Sequence, residues 1–298
     1  MALPQMGIFA LGTRSHYYLE LDLRPDAQTS ALFDVVGALR EPRMTTGGAN
    51  LVVAFGAKAW VAAGGDVPSD LGPFVAVTGP DGFTMPSTQH DVWVWASGTG
   101  YDVVFDVARA VATAFAPIAT VATEHHGFTY RDSRDLTGFV DGTENPPLDE
   151  APFVASVRDG EPGAGGSVVL FQRWVHDLGA FHELDEPQQE GVVGRTKPDS
   201  VELEDETKPT TAHIARVVIE DDGEELEIFR RSTSYGGVAE HGLLFVAFSA
   251  DVRRLRLMLD RITGRSDGVR DRLTEFTTPQ TGAFYFAPSL EALAKATG

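Results

Sequence analysis

Asp91-Val92-Trp93-Val94-Trp95-Ala96, and the run Tyr101 to Ala116 (YDVVFDVARAVATAFA) that follows, decide how this chain folds. The first run alternates as a strand. The second carries apolar residues at helical spacing and stops at Pro117. The same grammar extends to both sides. Upstream, His16 to Leu23 (HYYLELDL) alternates as a strand, Thr29 to Leu39 reads as a short amphipathic helix, and Leu51 to Phe55 as another strand. Downstream, Ser167 to Val175 reads as a strand and Asp177 to Leu184 as a helix. A hairpin, a strand at Gly242 to Ser249 and a helix from Val252 to Ile262 complete the series. Strand-then-helix pairs at matching places predict an α+β chain of duplicated ferredoxin-like halves, with antiparallel sheets packed together and helices outside. The halves are expected at residues 1–125 and 126–298, joined through Thr123 to Ser133 and not folding independently. Two polar stretches, Arg158 to Gly166 and Glu186 to Thr211, read as loops, and loops that long inside a compact chain are usually functional or mobile.

Composition narrows the function. Hydrophobic residues make up 43% of the 298, enough for a sizeable core, while 43 acidic against 24 basic side chains leave a net charge of −19. That balance argues against nucleic-acid or anionic-membrane partners and would repel anions at long range unless a local basic pocket overrides it. No run approaches about 18 apolar residues, and the amino terminus lacks a secretory pattern, so a cytoplasmic protein without a membrane span is expected. With no cysteine, disulfides, iron–sulfur clusters on thiolates and thiolate-ligated or thioether-attached haem are all excluded.

The densest chemistry lies in Gly138-Phe139-Val140-Asp141-Gly142-Thr143-Glu144-Asn145-Pro146. Asp-Gly is strong turn chemistry, and an acid on such a turn can be held against a pocket. By itself it would be an ordinary surface turn. The nine-residue string resembles the signature of the dye-decolorizing peroxidases. The segments Gly194-Arg195-Thr196-Lys197, Lys208-Pro209 through His213 to Val217, and Arg230 to Gly236 look like their bacterial type B branch. Further matches are Gly7-Ile8-Phe9-Ala10-x-Gly12-Thr13-Arg14 and Thr281-Gly282-x-Phe284-x-Phe286-x-Pro288-Ser289.

The resemblance implies a haem peroxidase that reduces hydrogen peroxide through a ferryl porphyrin radical and oxidises small aromatic donors or dyes. The haem b would be non-covalent and carried by the C-terminal half. It makes His213 the proximal iron ligand and Asp141 with Arg230 the distal pair. Arg195 would meet a haem propionate, Thr143 and Glu144 would flank the cofactor, and Ser232 stands where relatives often carry asparagine. Glu275 is the expected acid behind His213, where aspartate would be more usual. His126 and His176 are the next ligand candidates, and Trp174, Tyr235 and Tyr285 are candidate radical relays. A homo-oligomer without an encapsulin-targeting tail is expected. The alternatives are a haem-handling protein with incidental peroxidase activity, a haem-free assembly module, and a manganese site at Glu202, Glu204, Asp205 and Glu206.

The residues add their own constraint on His213. Two β-rich runs around Asp222-Gly223 read as a hairpin, which sets His213 roughly opposite Arg230. Cross-strand neighbours lie only about 5 Å apart, too close for a porphyrin between them. His213 is therefore expected to leave the ladder, and Pro209 favours a loop or helical turn there. Parity along the returning strand puts Arg230 on an apolar face with Leu226 and Ile228, and Arg231 on the opposite, charged face.

Overall fold

Alternation along the strands sorts the chain into an inside and an outside. The computed structural model describes residues 2–28, 30–39, 48–221 and 223–295. Thr29 and Asp222, named above as a helix start and a turn residue, and the last three residues of the carboxy terminus lie outside them. The N-terminal segment runs β1 (Ser15–Leu23), α1 (Ser30–Ala38), β2 (Ala49–Phe55), α2 (Ala57–Ala62), β3 (Val92–Gly98), α3 (Tyr101–Phe115) and β4 (Ala119–Phe128). The C-terminal segment runs α4 (Ala151–Ala155), β5 (Ser167–His176), α5 (Leu178–Glu183), α6 (Glu186–Val193), α7 (His213–Val217), β6 (Phe229–Arg230), β7 (Thr233–Gly236) and β8 (His241–Ser249). It ends with α8 (Val252–Ile262), β9 (Thr277–Pro279), β10 (Ala283–Ala287) and α9 (Leu290–Lys295).

The fold is α+β with antiparallel pairing in every ladder of the main sheet. The first four long strands lie in the order β4-β1-β3-β2, and the later ones in the order β7-β8-β5-β10. Two short seams join these groups: Phe286 against Phe55, and Ser234 and Tyr235 against Phe128 and Gly127. Because β8 also pairs with β5, the strands close a ring. The expected pair of packed sheets is thus one continuous sheet whose inner faces still meet in a core.

Inside the ring pack Tyr18, Trp93, Trp95, Phe171, Phe248 and Tyr285, all nearly inaccessible. The outward residues of the same strands, Leu19, Leu21, Val53 and Val94, are covered by Val104, Ala108, Val111 and Phe115 of α3. On the C-terminal side α8 buries Leu255, Met258, Leu259 and Ile262, its start fixed by Asp251, whose carboxylate accepts the Arg254 N–H at 3.1 Å.

Several local expectations need correction. β4 runs to Phe128, so residues 125 and 126 sit inside a strand and not at a break. The Glu186 to Thr211 loop begins as helix α6. Its low apolar content hides it, but Asp185 and Gln188 form a reciprocal capping box at 2.9 and 3.0 Å. The hairpin near Gly223 pairs only Glu220–Asp221 with Glu224–Glu225, and only Phe229–Arg230 of the returning run joins the main sheet. Arg231 does not lie on a charged face. It points inward over the rings of Trp95 and Phe229.

Candidate active site

β5 and β8 present Gln172, Trp174, Leu243 and Phe245 on their outer faces, where no long helix covers them. A cavity of about 150 Å³ remains there. Asp141, Arg195, His213 and Arg230 line it together with apolar Ile214, Val217, Met258 and Ile262. Residues 141, 195, 213 and 230 are thus brought to one space from four separate loops and short elements.

His213 has left the ladder, as its spacing required, and opens α7. Local packing holds it there. Gly194 ends α6 at φ 92°, and a Cβ on it would stand 2.2 Å from Ile214 Cγ2, so only glycine lets α6 approach α7 this closely. The His213 ring meets a carboxylate through Nδ1, 2.6 Å from Oδ2 of Asp271, which is 1% exposed. The other Asp271 oxygen accepts the Leu273 N–H at 2.9 Å, and the Arg272 N–H reaches the Thr211 carbonyl at 2.9 Å. These bonds tie the acid to the segment carrying the histidine. Nε2 of His213 has no hydrogen bond to any described residue.

The expected acid behind His213 was therefore misplaced by one helical turn. Glu275 is at the far end of the 3₁₀ turn Arg272–Glu275, half-exposed, with a carboxylate oxygen 3.7 Å from Arg272. Asp271 was legible as the cap of that turn, since Asp-x-x-Thr places an acid and a hydroxyl at a helix start; its contact with residue 213 was not. His126 lies outside the cavity against Ser15 and Tyr101. His176 lines the cavity, but Thr277 and Asp135 take both its ring nitrogens, at 2.7 and 3.0 Å. Asp135 is held down to about 2: burial works against this, but the His176 hydrogen bond and charge and the Thr137 hydrogen bonds outweigh it. This buried pair escaped sequence reasoning because its members are 41 residues apart.

Asp141 sits between two turns that require left-handed backbone, Gly138 at φ 93° and Gly142 at φ 80°. Its N–H reaches the Ser133 carbonyl at 3.0 Å. Burial raises its carboxyl above the usual range, against the pull of the Arg230 cation. Asn145 links the motif to β6: its amide donates to the Arg230 carbonyl at 2.9 Å and its oxygen accepts the Arg230 N–H at 2.8 Å. Asn145, near the end of the nine-residue string, therefore fixes the backbone of Arg230, a role no local pattern reveals.

Arg195 pairs with Glu144 and donates to the Ser200 carbonyl at 2.6 Å, while its buried Nε has no partner. Thr143 lines the same cavity. Ser232 does not; it lines a neighbouring cavity, and its hydroxyl accepts the Val246 N–H at 3.4 Å. Of the relay candidates, Trp174 lines the first cavity, Tyr235 accepts from Arg173 at 3.1 Å, and Tyr285 is sealed in the ring, donating to Glu20 at 2.6 Å. Glu202, named for manganese, contacts Lys208 and Arg195, and no three His, Asp or Glu side chains among the described residues are arranged to hold a metal.

A histidine backed by a buried aspartate shares one largely apolar cavity with an acid and an arginine, an arrangement able to hold and support a metal cofactor. The sequence patterns of the Dyp-type peroxidase N-terminal and C-terminal regions match residues 5–129 and 132–292, and the chain belongs to this family. A dye-decolorizing peroxidase of Rhodococcus erythropolis is 38% identical over 88% of this chain and 79% of its own length. Among solved structures, a Dyp-type peroxidase protein of Shewanella oneidensis superposes with a TM-score of 0.93 at 34% identity, covering 99% of both chains. A variant of DypB from Rhodococcus jostii RHA1, in complex with heme, gives 0.90 at 35% identity over 98% of both. Among the described residues no helix is long and apolar enough to cross a membrane.

Proposed function

We propose that His213 holds the haem iron through Nε2, that Asp271 positions and polarises its ring, and that Asp141 and Arg230 act together on peroxide. The protein is a haem peroxidase of the dye-decolorizing family, reducing hydrogen peroxide and oxidising organic donors. The cavity suits that cofactor: apolar walls for a flat ring, one histidine nitrogen and a buried Nε of Arg195 that both lack partners among the described residues, the latter suited to a propionate. When bound, haem accepts two oxidising equivalents from peroxide and passes them on one at a time.

The remaining chemistry is the chain's own. Asp141 takes a proton from one peroxide oxygen and returns it to the other, a task helped by a carboxyl whose affinity for protons burial has raised. Arg230 stabilises negative charge on the departing oxygen from a backbone that Asn145 fixes. Asp271 keeps the His213 proton on Nδ1 and so leaves Nε2 as the electron-pair donor. The supporting observation is the shared cavity: Asp141, Arg230 and the Asp271-backed His213 line one space. An absorption spectrum of haem-loaded protein before and after peroxide tests the reading. An unchanged spectrum, or the same spectrum in His213→Ala, would remove it.

The matching strand orders β4-β1-β3-β2 and β10-β5-β8-β7 further support two duplicated ferredoxin-like halves that divide after β4, with the haem site on the second.

A further inference from the structure

Behind the distal pair lies a second, larger cavity of about 410 Å³, which shares Asp141, Gly142 and Arg230 with the first. Its lining is cationic in a chain of net charge −19: Arg14, Arg131, Arg134, Arg230 and Arg231 against Asp132 and Asp141. Hydrogen peroxide is neutral and small, so its passage explains neither this volume nor this charge.

Of the five charges, the protein offsets that of Arg230 with the nearby Asp141 carboxylate. Arg134 donates to the carbonyls of Gly138, Lys197 and Pro198, and Arg231 to those of Ile8 and Ala10. Arg14, exposed at the rim, has its backbone pinned to Gly98 and Thr129, at 2.8 and 3.0 Å, and no described hydrogen bond from its guanidinium. Among the described residues none of the five forms a salt bridge within 4.0 Å.

His16 adds a directed donor. The Trp95 indole can only donate, and its N–H lies 3.1 Å from His16 Nδ1. Nδ1 must therefore accept, and the ring proton must sit on Nε2. Burial, then the Arg231 charge, push this imidazole down to about 3, with the nearby Thr13 carbonyl opposing, so the ring is neutral in this tautomer. Nε2–H is buried and belongs to the cavity lining; the Thr13 carbonyl is the one acceptor beside it among the described residues, and it lies outside good hydrogen-bond geometry. A buried donor without a well-formed hydrogen bond is costly, and this one belongs to a space whose charged lining is five arginines against two aspartates.

We infer that this cavity binds a small anion, a carboxylate or an inorganic oxyanion, which accepts from His16 Nε2–H and Arg14 and stands before Asp141 and Arg230. The binding itself does not depend on the haem assignment. Its consequence, that the bound anion competes with incoming peroxide, rests on that assignment.

Calorimetric titration of the haem-loaded protein, in a zwitterionic buffer at pH 7 without chloride or phosphate, tests it with acetate, benzoate, nitrate and sulfate separately. One saturable site per chain is expected, and its preference between benzoate and the inorganic ions identifies the source. Arg14→Ala should weaken binding by roughly tenfold or more, the usual worth of a hydrogen bond to a charged group, with the Soret band unchanged. His16→Gln, checked for folding by its thermal melt, should weaken it independently. No saturable heat with any of the four anions overturns the site. So does undiminished affinity in both variants, or binding to haem-free protein that haem abolishes, which would assign the arginines to the cofactor's own carboxylates. In stopped-flow mixing, a saturating anion should raise the peroxide concentration needed for half-maximal rate in the wild type and not in Arg14→Ala. Binding that depends on Arg14 without that shift would leave the site in place and overturn its role at the entrance.

Discussion

The outer face of the N-terminal strands and the outer face of the C-terminal strands have the same strand order but opposite fates. Over β1, β2 and β3, the fifteen-residue helix α3 lays an apolar stripe on Leu19, Val53 and Val94, and the face is closed. Over β5 and β8, α8 covers part of the face, and the cavity beside it is walled by the end of α6, the five-residue α7, the 135–143 loop and the 3₁₀ turn after Asp271. A long helix cannot leave a slot, because its stripe is continuous; short helices ending at turns can. The site lies where cover is assembled from pieces, and each piece contributes one polar group: His213 from α7, Arg195 from just past α6, Asp271 from a 3₁₀ cap.

If that contrast is sound, damage to the pieced side should remove function without unfolding the chain. The largest effect should come from His213→Ala, which removes the one cavity-lining histidine nitrogen without a hydrogen-bond partner among the described residues. Stable haem should be lost, and added imidazole should restore it, as judged by the Soret band. Retained haem with an unchanged spectrum would move the ligand elsewhere.

Next, Arg230→Ala should slow the reaction with peroxide by roughly 10²–10³-fold, the usual loss when a fixed charge stabiliser is removed. Asp141→Ala should slow it less consistently, since water can carry a proton but cannot replace a positioned cation. Rapid-mixing traces decide this, and normal rates in both variants would separate the cavity from the chemistry.

Asp271→Asn should act more mildly. Loss of such a supporting carboxylate typically costs about 10–100-fold in metal affinity or activity. It should also raise the ferric/ferrous potential, because less electron density reaches Nε2. Glu275→Gln should leave that potential where it is. Equal shifts in both would mean that the 2.6 Å contact between Asp271 and His213 does not govern the ring.

The smallest effect is on stability, and it arises at the buried His16. His16 has a folded value near 3 and an ordinary unfolded value of 6.5. Between those limits the unfolded chain binds the extra proton, so stability must fall as the pH drops below about 6.5. Burial, then Arg173, lower His125 to about 4, which adds to the same slope. Urea unfolding at pH 7 and pH 5 should show His16→Gln with a flatter dependence, by at most about 1.4 kcal/mol per pH unit. An unaltered slope would mean that His16 is already protonated in the fold.

The sequence alone determined the strand and helix grammar, because period two and period 3.6 are local properties of the chain. Val252 to Ile262 was read to the residue, and β1, β3 and α3 to within one or two. It also determined that His213 could not stay in a ladder with Arg230, since strand spacing leaves no room for a cofactor. The tertiary structure decided what depends on contacts between distant residues. Asp271 stands behind His213 across 58 positions, and Asn145 fixes Arg230 across 85. Arg231 turned inward because a short bridge to β8 replaced the long hairpin that parity assumed. Glu275 and Asp271 show the limit most plainly. Both are acids on the same short turn, and only the buried one, whose second oxygen caps Leu273, is held where His213 can reach it. Which end of a turn is buried is set by what packs over it, and that information lies elsewhere in the chain.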